Sequence, residues 1–207
     1  MSSTASVLKS VEAVREIIGE ASRMTPLKIM DSLDEMAISF IRHSPFLVLG
    51  TTGEDGMPEI SPKGDEAGFV AVEDANTLLI PERRGNRLIF SLQNILATET
   101  VAAIFMVPGT QETLRVQGRA ELSADPELCG RFMSRSRPAL LVTRVTVERC
   151  YFHCAKAFKR ARLWDPDSWP PRQQISFGRQ AADRLGVDDE VAKQIDEAVE
   201  EDYRTNL

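Results

Sequence analysis

FLVLGTTGEDGMPEIS, residues 46–61, places two short β-forming runs on either side of a turn. Phe46 to Thr52 is apolar or β-branched and stops at Gly53-Glu54-Asp55-Gly56. Glycine adopts backbone angles that other residues avoid, and aspartate bonds its own backbone, so this tetrapeptide folds the chain back into a second strand over Met57–Ser61. The same texture continues downstream. Phe69–Val72 and Thr77–Ile80 flank the turn Glu73-Asp74-Ala75-Asn76; Val101–Val107 and Thr113–Leu122 flank Pro108-Gly109; Leu140–Val147 is a seventh β candidate. Short strands at this spacing predict an antiparallel barrel or sandwich rather than a parallel α/β sheet.

Helical patterns bracket the strands. Val7, Val11, Val14 and Ile18 repeat at helical spacing, and Leu27, Met30, Leu33, Ala37, Phe40 and Ile41 do so again. Thr25-Pro26 reads as N-cap and first helical position of a second helix, which ends at His43-Ser44 because the residue before Pro45 disfavours the helical region. Leu88, Leu92 and Ile95 mark a helix after Gly85-Asn86, and Asp125-Pro126 opens one carrying Leu128, Phe132 and Met133. From Asp188 the tail is acidic, with Val191, Ile195 and Val199 four apart. The expected organisation is a helical N-terminal extension over 1–44, a mainly β core of six or seven antiparallel strands over 45–165, and a helical tail over 166–207. That tail is expected to pack on the barrel or on a partner subunit.

The 207 residues suit one core. Lys and Arg number 25 against 31 Asp and Glu, a net charge of −6, which argues against bulk nucleic acid as the main partner. No stretch approaches the roughly 20 apolar residues of a membrane span, and the opening residues lack the pattern of a secretory signal. Cys129, Cys150 and Cys154 are too few for a disulfide framework, so a reduced, cytoplasmic setting is expected. The P-loop, GxGxxG, HExxH and GxSxG signatures are all missing, which leaves kinase, Rossmann and hydrolase readings without support.

Three segments can carry chemistry. In Pro81-Glu82-Arg83-Arg84-Gly85-Asn86-Arg87 a strand gives way to a helix. The first amides of a helix lack internal partners and sit at the positive end of its dipole, so they attract anions. Arg83, Arg84 and Arg87 add forked donors suited to phosphate, Gly85 permits close backbone approach, and Asn86 can cap. A solvated charged turn is the plainer alternative. In Ser61-Pro62-Lys63-Gly64-Asp65, Pro62 is expected to interrupt pairing and Gly64 to take an unusual angle, so that Lys63 beside the bend faces a ligand; a surface Lys–Asp turn is again the alternative.

The third segment is Cys150-Tyr151-Phe152-His153-Cys154 and the basic run after it. Cys150, His153 and Cys154 supply three soft ligands at most, and His43 is the only other histidine, so no metal site is expected. Adjacent strand residues point to opposite faces, which also disfavours a Cys–His nucleophile. Lys156, Lys159, Arg160 and Arg162 crowd a short stretch of an acidic chain and could hold an anion or pair with the acidic tail. Trp164 and Trp169 either close a pocket or pack.

The order SPFLVLGTT, PEISPKGD, GFVAVED, TLLIPERRGNRLIFSLQNI, VAAIFMVPG, ETLRVQGRAEL and CYFHCAKAFKRARLW resembles the pyridoxamine 5′-phosphate oxidase-like family of FMN-binding split barrels. It is most similar to a bacterial subgroup carrying SP[KR]GD, IPxRxGNxR and FHCAKA. The resemblance spans roughly residues 40 to 165. It implies a split β-barrel and a homodimer with FMN at the subunit interface. It places the flavin ring along Ile60, Ser61, Pro62, Lys63 and Gly64 and beside Ile80 and Pro81, with the phosphate at Arg83, Arg84, Asn86 and Arg87. Further contacts are implied from the stretch Gln111 to Gln117, including Thr113, and from Lys156, Lys159 and Arg160. An ammonium at Lys63 would favour the reduced, anionic flavin. The segment whose arginine and histidine grip the substrate phosphate in authentic pyridoxamine phosphate oxidases is replaced here by VAKQIDEAVEEDYRTNL, so another small-molecule substrate is expected.

The leading expectation is an FMN-dependent oxidoreductase that moves a hydride through flavin N5, a reaction that needs no protein acid or base. A flavin-sequestering protein without turnover would use the same residues. A haem-binding split barrel with His43 or His153 as axial ligand, a deazaflavin-binding barrel, and an interaction protein with an empty barrel are the other readings.

Overall fold

Along β1 (Phe46–Thr52) every second side chain, Leu47, Leu49 and Thr51, is buried, the period of a strand with one face on a core. The computed structural model describes residues 7–186 and 188–206; residues 1–6 of the expected leader lie outside them. It places β1 in a seven-stranded antiparallel sheet with β2 (Pro58–Gly64), β3 (Ala71–Asp74), β4 (Thr77–Glu82), β5 (Thr100–Met106), β6 (Thr113–Ser123) and β7 (Leu141–His153). The strand order is β2-β1-β5-β6-β7-β4-β3.

Leu47, Leu49, Leu78, Ile80, Phe105, Leu114, Val116 and Val145 come from five of these strands and meet in one cluster, so the sheet curls around a shared interior. Burying each such side chain contributes about 1.5–3 kcal/mol, which makes this cluster the main source of stability. The curl brings edge strand β2 against β4, with which it shares no backbone ladder: Lys63 Nζ lies 2.7 Å from Glu82 Oε1 and 2.8 Å from Oε2. The barrel is therefore split, and side chains rather than peptide groups cross the opening. Helices α2 (Glu35–His43) and α3 (Phe90–Thr98) add Ala37, Ile41 and Ile95 to the core. A smaller cluster sits on the other side of β4 and β7, where Leu79 and Val142 meet Cys129, Phe132 and Ala139 around α4 (Pro126–Gly130).

Several local expectations are corrected. The second helix does not start at Thr25-Pro26, where only a 3₁₀ turn over Pro26–Lys28 forms. Met30 instead exchanges backbone hydrogen bonds with Cys150 at 2.9 and 2.8 Å, and α2 begins after Asp34, whose carboxylate accepts from Ala37 N at 2.7 Å. Pro62 does not interrupt pairing: β2 runs in register through it, opposite Val48. An edge strand tolerates proline where the missing N–H faces away from its neighbour. Gly64 pairs regularly with Phe46 and has no positive φ; the left-handed residue nearby is Gly68, at φ 84°. Strand β7 continues six residues past Val147 to His153, after a register shift on β6 at Gln117/Gly118. Only glycine fits at 118, where a Cβ would lie 1.9 Å from Thr146 O.

After the barrel come α5 (Lys156–Ala161), a 3₁₀ turn at Pro166–Ser168, α6 (Phe177–Leu185) and α7 (Asp189–Thr205). Helix α6 lies within the helical tail expected over 166–207, ahead of the acidic stretch from Asp188 that α7 takes up. Helix α1 (Val11–Ile18), capped by Ser10 on Ala13 N at 3.2 Å, buries none of its side chains. Among the described residues no helix is long and apolar enough to cross a membrane.

Candidate cofactor site

The ends of β2 and β4 lie together because Lys63 and Glu82 face the interior, opposite Leu47 and on the side of Ile80 respectively. Each side chain is only 12% exposed, so the pair is largely removed from water. Just past the end of each strand a second pair forms. Arg83 Nε donates to Asp65 Oδ2 at 2.7 Å and its Nη1 donates to Phe132 O at 2.7 Å. Asp65 Oδ1 accepts from Glu66 N at 2.9 Å and from Ser134 Oγ at 3.0 Å. Burial pushes the Asp65 carboxyl up, but these hydrogen bonds and the Arg83 charge outweigh it and hold the group below the ordinary aspartate value. The network ties together the loops after β2, β4 and α4.

Arg83 is thus spent on structure. Arg84 and Arg87 are exposed and make no ion pair or side-chain hydrogen bond among the described residues. Arg87 takes a left-handed φ of 60°, and Asn86 Oδ1 accepts from Leu88 N at 3.0 Å, which turns the chain two residues before α3. Asn86 therefore shapes the loop and does not cap the helix, which starts at Phe90. The N-cap of α3 is Ile89, and no side chain satisfies its leading amides. Two guanidinium groups without a partner among the described residues thus stand beside this helix end, and donors of that kind can hold an anion such as a phosphate. Ile80 and Pro81 are buried in the barrel wall that carries this loop.

The remaining candidates fall on other surfaces. Ser61 and Lys63 point inward, while Ile60, Pro62 and Gly64 lie on the outer face of β2. The ladder aligns Ile60, Gly50, Ala102 and Gln117 in one row across that face. Ile60 is 70% exposed, and Gln117 Oε1 accepts from Arg149 at 3.3 Å. Gly50 and Ala102 leave the middle of the row low and apolar. Thr113 is buried, whereas Gln111 is half-buried in the turn before β6. Lys156, Lys159 and Arg160 are exposed on α5, which is fixed by Trp164 Nε1 donating to Thr110 O at 2.8 Å and by Phe158 against Trp164. Trp164 is therefore a packing residue that sets α5 beside Gln111.

Cys150 is fully buried, its Sγ donates to Ser32 O at 3.0 Å, and burial with nearby Asp34 and Asp31 pushes its thiol up to about 11. Burial, then the charge of Arg115, lowers His153 from the ordinary histidine value. His43 Nδ1 bonds Ser39 O at 2.8 Å at the end of α2. Among the described residues no three His, Cys, Asp or Glu side chains are grouped to hold a metal. Reading the sequence misses Glu82, Asp65 and Ser134 as working members of the site. Glu82 was the most accessible of them, since it stands two residues from Ile80 and must share its face of β4.

A comparison with family models matches residues 33–154 to pyridoxamine 5′-phosphate oxidase. No curated protein matches the chain. Among solved structures, HupZ from Group A Streptococcus is 18% identical, covering 58% of this chain and 93% of its own, with a TM-score of 0.48. A Clostridium acetobutylicum protein related to general stress protein 26 of B. subtilis, of the pyridoxinephosphate oxidase family, is 15% identical over 58% of this chain and 90% of its own, with a TM-score of 0.44. The conserved hypothetical protein Rv2991 from Mycobacterium tuberculosis is 15% identical over 72% of this chain and 94% of its own, with a TM-score of 0.43. Since the family match takes in more than half of the chain and all seven strands of the split barrel, the chain belongs to the pyridoxamine 5′-phosphate oxidase family.

Proposed function

We propose that this chain is an FMN-dependent oxidoreductase working as a homodimer, with the cofactor phosphate held by Arg84 and Arg87 at the start of α3. The observation that carries the reading is the division of labour in the basic loop. Arg83 is consumed by Asp65 and Phe132, whereas Arg84 and Arg87 keep their side-chain donors free among the described residues, beside the uncapped helix end. Bound there, a flavin supplies hydride transfer at its ring N5. The row Ile60, Gly50, Ala102 and Gln117 offers a flat apolar surface with one amide, which suits one face of a heteroaromatic ring.

Lys63 takes a different part from the one the resemblance implies. Its charge is matched by Glu82, so it braces the site while the arginines provide the uncompensated positive charge. The outer sheet face also leaves Phe46 and Ile60 open to solvent, an apolar surface that a second copy would cover.

The test is a titration of purified protein with FMN, followed by absorption and flavin fluorescence. Arg84→Ala and Arg87→Ala are each expected to weaken binding about 10- to 100-fold, the range for losing a charge-assisted hydrogen bond of roughly 1.5–3 kcal/mol. Bleaching of bound flavin by NAD(P)H or another donor then separates turnover from sequestration. Protein that stays colourless and rejects added FMN would sink the proposal.

A further inference from the structure

The two C-terminal helices, α6 and α7, pack on one another and make no substantial contact with the barrel of their own chain. Their junction is specific. A Cβ on Gly178 would lie 1.8 Å from Ala192 O, and Asp196 accepts from Ser176 Oγ at 2.5 Å and Gly178 N at 2.8 Å. Yet Ile175, Phe177, Leu185 and Tyr203 are left exposed. Two short helices bury too little apolar surface to form a core of their own. The connection to the barrel includes Trp169-Pro170-Pro171, and consecutive prolines make a stiff, extended spacer that holds the hairpin away.

The hairpin also carries unspent charge. Residues 188–205 hold eight carboxylates against Lys193 and Arg204. A groove of about 880 Å³ runs along the hairpin, with Glu197, Glu200, Glu201 and Tyr203 in its lining. Its cations are already engaged: Arg179 with Asp189 at 3.0 Å, Lys193 with Glu197 at 3.7 Å, and Arg204 with Glu201. Glu200 has no ion-pair partner among the described residues. The complementary surface is α5. Lys156, Lys159 and Arg160 are exposed and unpaired among the described residues, and only Arg162 finds an acid, Asp165 at 2.6 Å. Exposed Leu163 and Trp169 flank them. One surface is basic with apolar edges, the other acidic with apolar and aromatic edges, and within one chain no ion pair joins them among the described residues.

We propose that the α6–α7 hairpin of each chain docks on α5 of a second copy, seating Lys156, Lys159 and Arg160 against the acidic groove. The inference rests on the homodimeric reading above. A two-fold axis makes the exchange reciprocal, since each chain offers one hairpin and receives one. It gives these three cations a protein partner in place of the cofactor contact that the resemblance implies. Single exposed ion pairs contribute little, so the apolar edges hold the contact and the charges set its orientation.

The test couples amines to carboxylates with a zero-length carbodiimide in an equilibrated mixture of ¹⁴N- and ¹⁵N-labelled full-length chains. Mass spectrometry is expected to find Lys156 or Lys159 joined to Glu197, Glu200 or Glu201 in mixed-isotope peptides. E200K/E201K, which leaves both lysines of α5 in place, should abolish the links to Glu197, and adding K156E/K159E, which swaps the charges, should restore coupling between the two segments. Links confined to one isotope, or links to Glu197 undiminished in E200K/E201K, would overturn the docking. Sedimentation of the same samples separates the two failures. A dimer without the link removes the docking alone, while a monomer throughout removes the homodimeric reading with it.

Discussion

Lys63 and Glu82 give the sharpest prediction, because they join strands that no backbone hydrogen bond connects. At separations of 2.7 and 2.8 Å and an effective dielectric of 20, their gross attraction is about 6 kcal/mol. Desolvation of the two groups returns most of that. Removing one partner leaves the other charge in a site that is 12% exposed, which costs about 3–5 kcal/mol when burial is complete and about 2 kcal/mol after allowance for this residual access to water. Lys63→Met and Glu82→Leu are each expected to lose about 2 kcal/mol, whereas the apolar double variant Lys63→Met/Glu82→Leu should stay within about 1 kcal/mol of the parent, a coupling of about 3 kcal/mol. Guanidinium unfolding followed by far-ultraviolet circular dichroism measures all four proteins. Two single variants within about 0.5 kcal/mol of the parent, or strictly additive effects, would refute the brace. FMN binding by the double variant provides the control: a stable protein that no longer binds would return Lys63 to the cofactor.

Three further expectations follow from the packing. Gly178→Ala should open the hairpin at a cost of about 3 kcal/mol or more, since the new Cβ meets Ala192 O at 1.8 Å; limited proteolysis should then cut beyond residue 170 while the barrel melts as before. One thiol, exposed Cys154, should react rapidly with a disulfide reagent in the native protein, and buried Cys129 and Cys150 only on unfolding, with Cys150 further slowed because its thiol is pushed up to about 11. The lowered Asp65 carboxyl should contribute stability that is present above its ordinary value of 3.8 and lost as pH falls through the lower folded value. The stability gap between the parent and Asp65→Asn should therefore narrow as the pH of denaturant unfolding is taken below about 4; a gap independent of pH would contradict the Asp65–Arg83–Ser134 network.

The strands were legible because their signals are local. Gly53–Gly56 and Pro108-Gly109 fall in connections between neighbouring strands, and of Glu73–Asn76 the last two residues connect β3 to β4 while the first two are taken up by β3. Met30 shows where such reasoning stops. It keeps helical spacing with Leu27 and Leu33, but its backbone is claimed by Cys150, 120 positions away, and no local preference announces that competition. Helix α6 had readable ends in Ser176, whose hydroxyl accepts from Arg179 N, and left-handed Gly186; its polar composition hid the apolar stripe. At the site, the basic loop stood out from composition, whereas the separation of Arg83 from Arg84 and Arg87 depends on Asp65 and Phe132, which only the closed barrel brings near.

The prolines of β2 have a consequence beyond pairing with β1. A sheet that ends in a free strand offers unpaired donors and acceptors on which another chain can stack, the first step toward cross-β aggregation. On β2, Pro58 and Pro62 stand four residues apart in the same register class, so the outward edge lacks two of the donors an incoming strand would need. The edge that must stay open beside the candidate site is thereby made a poor template, and exposure there does not become a route to fibrils.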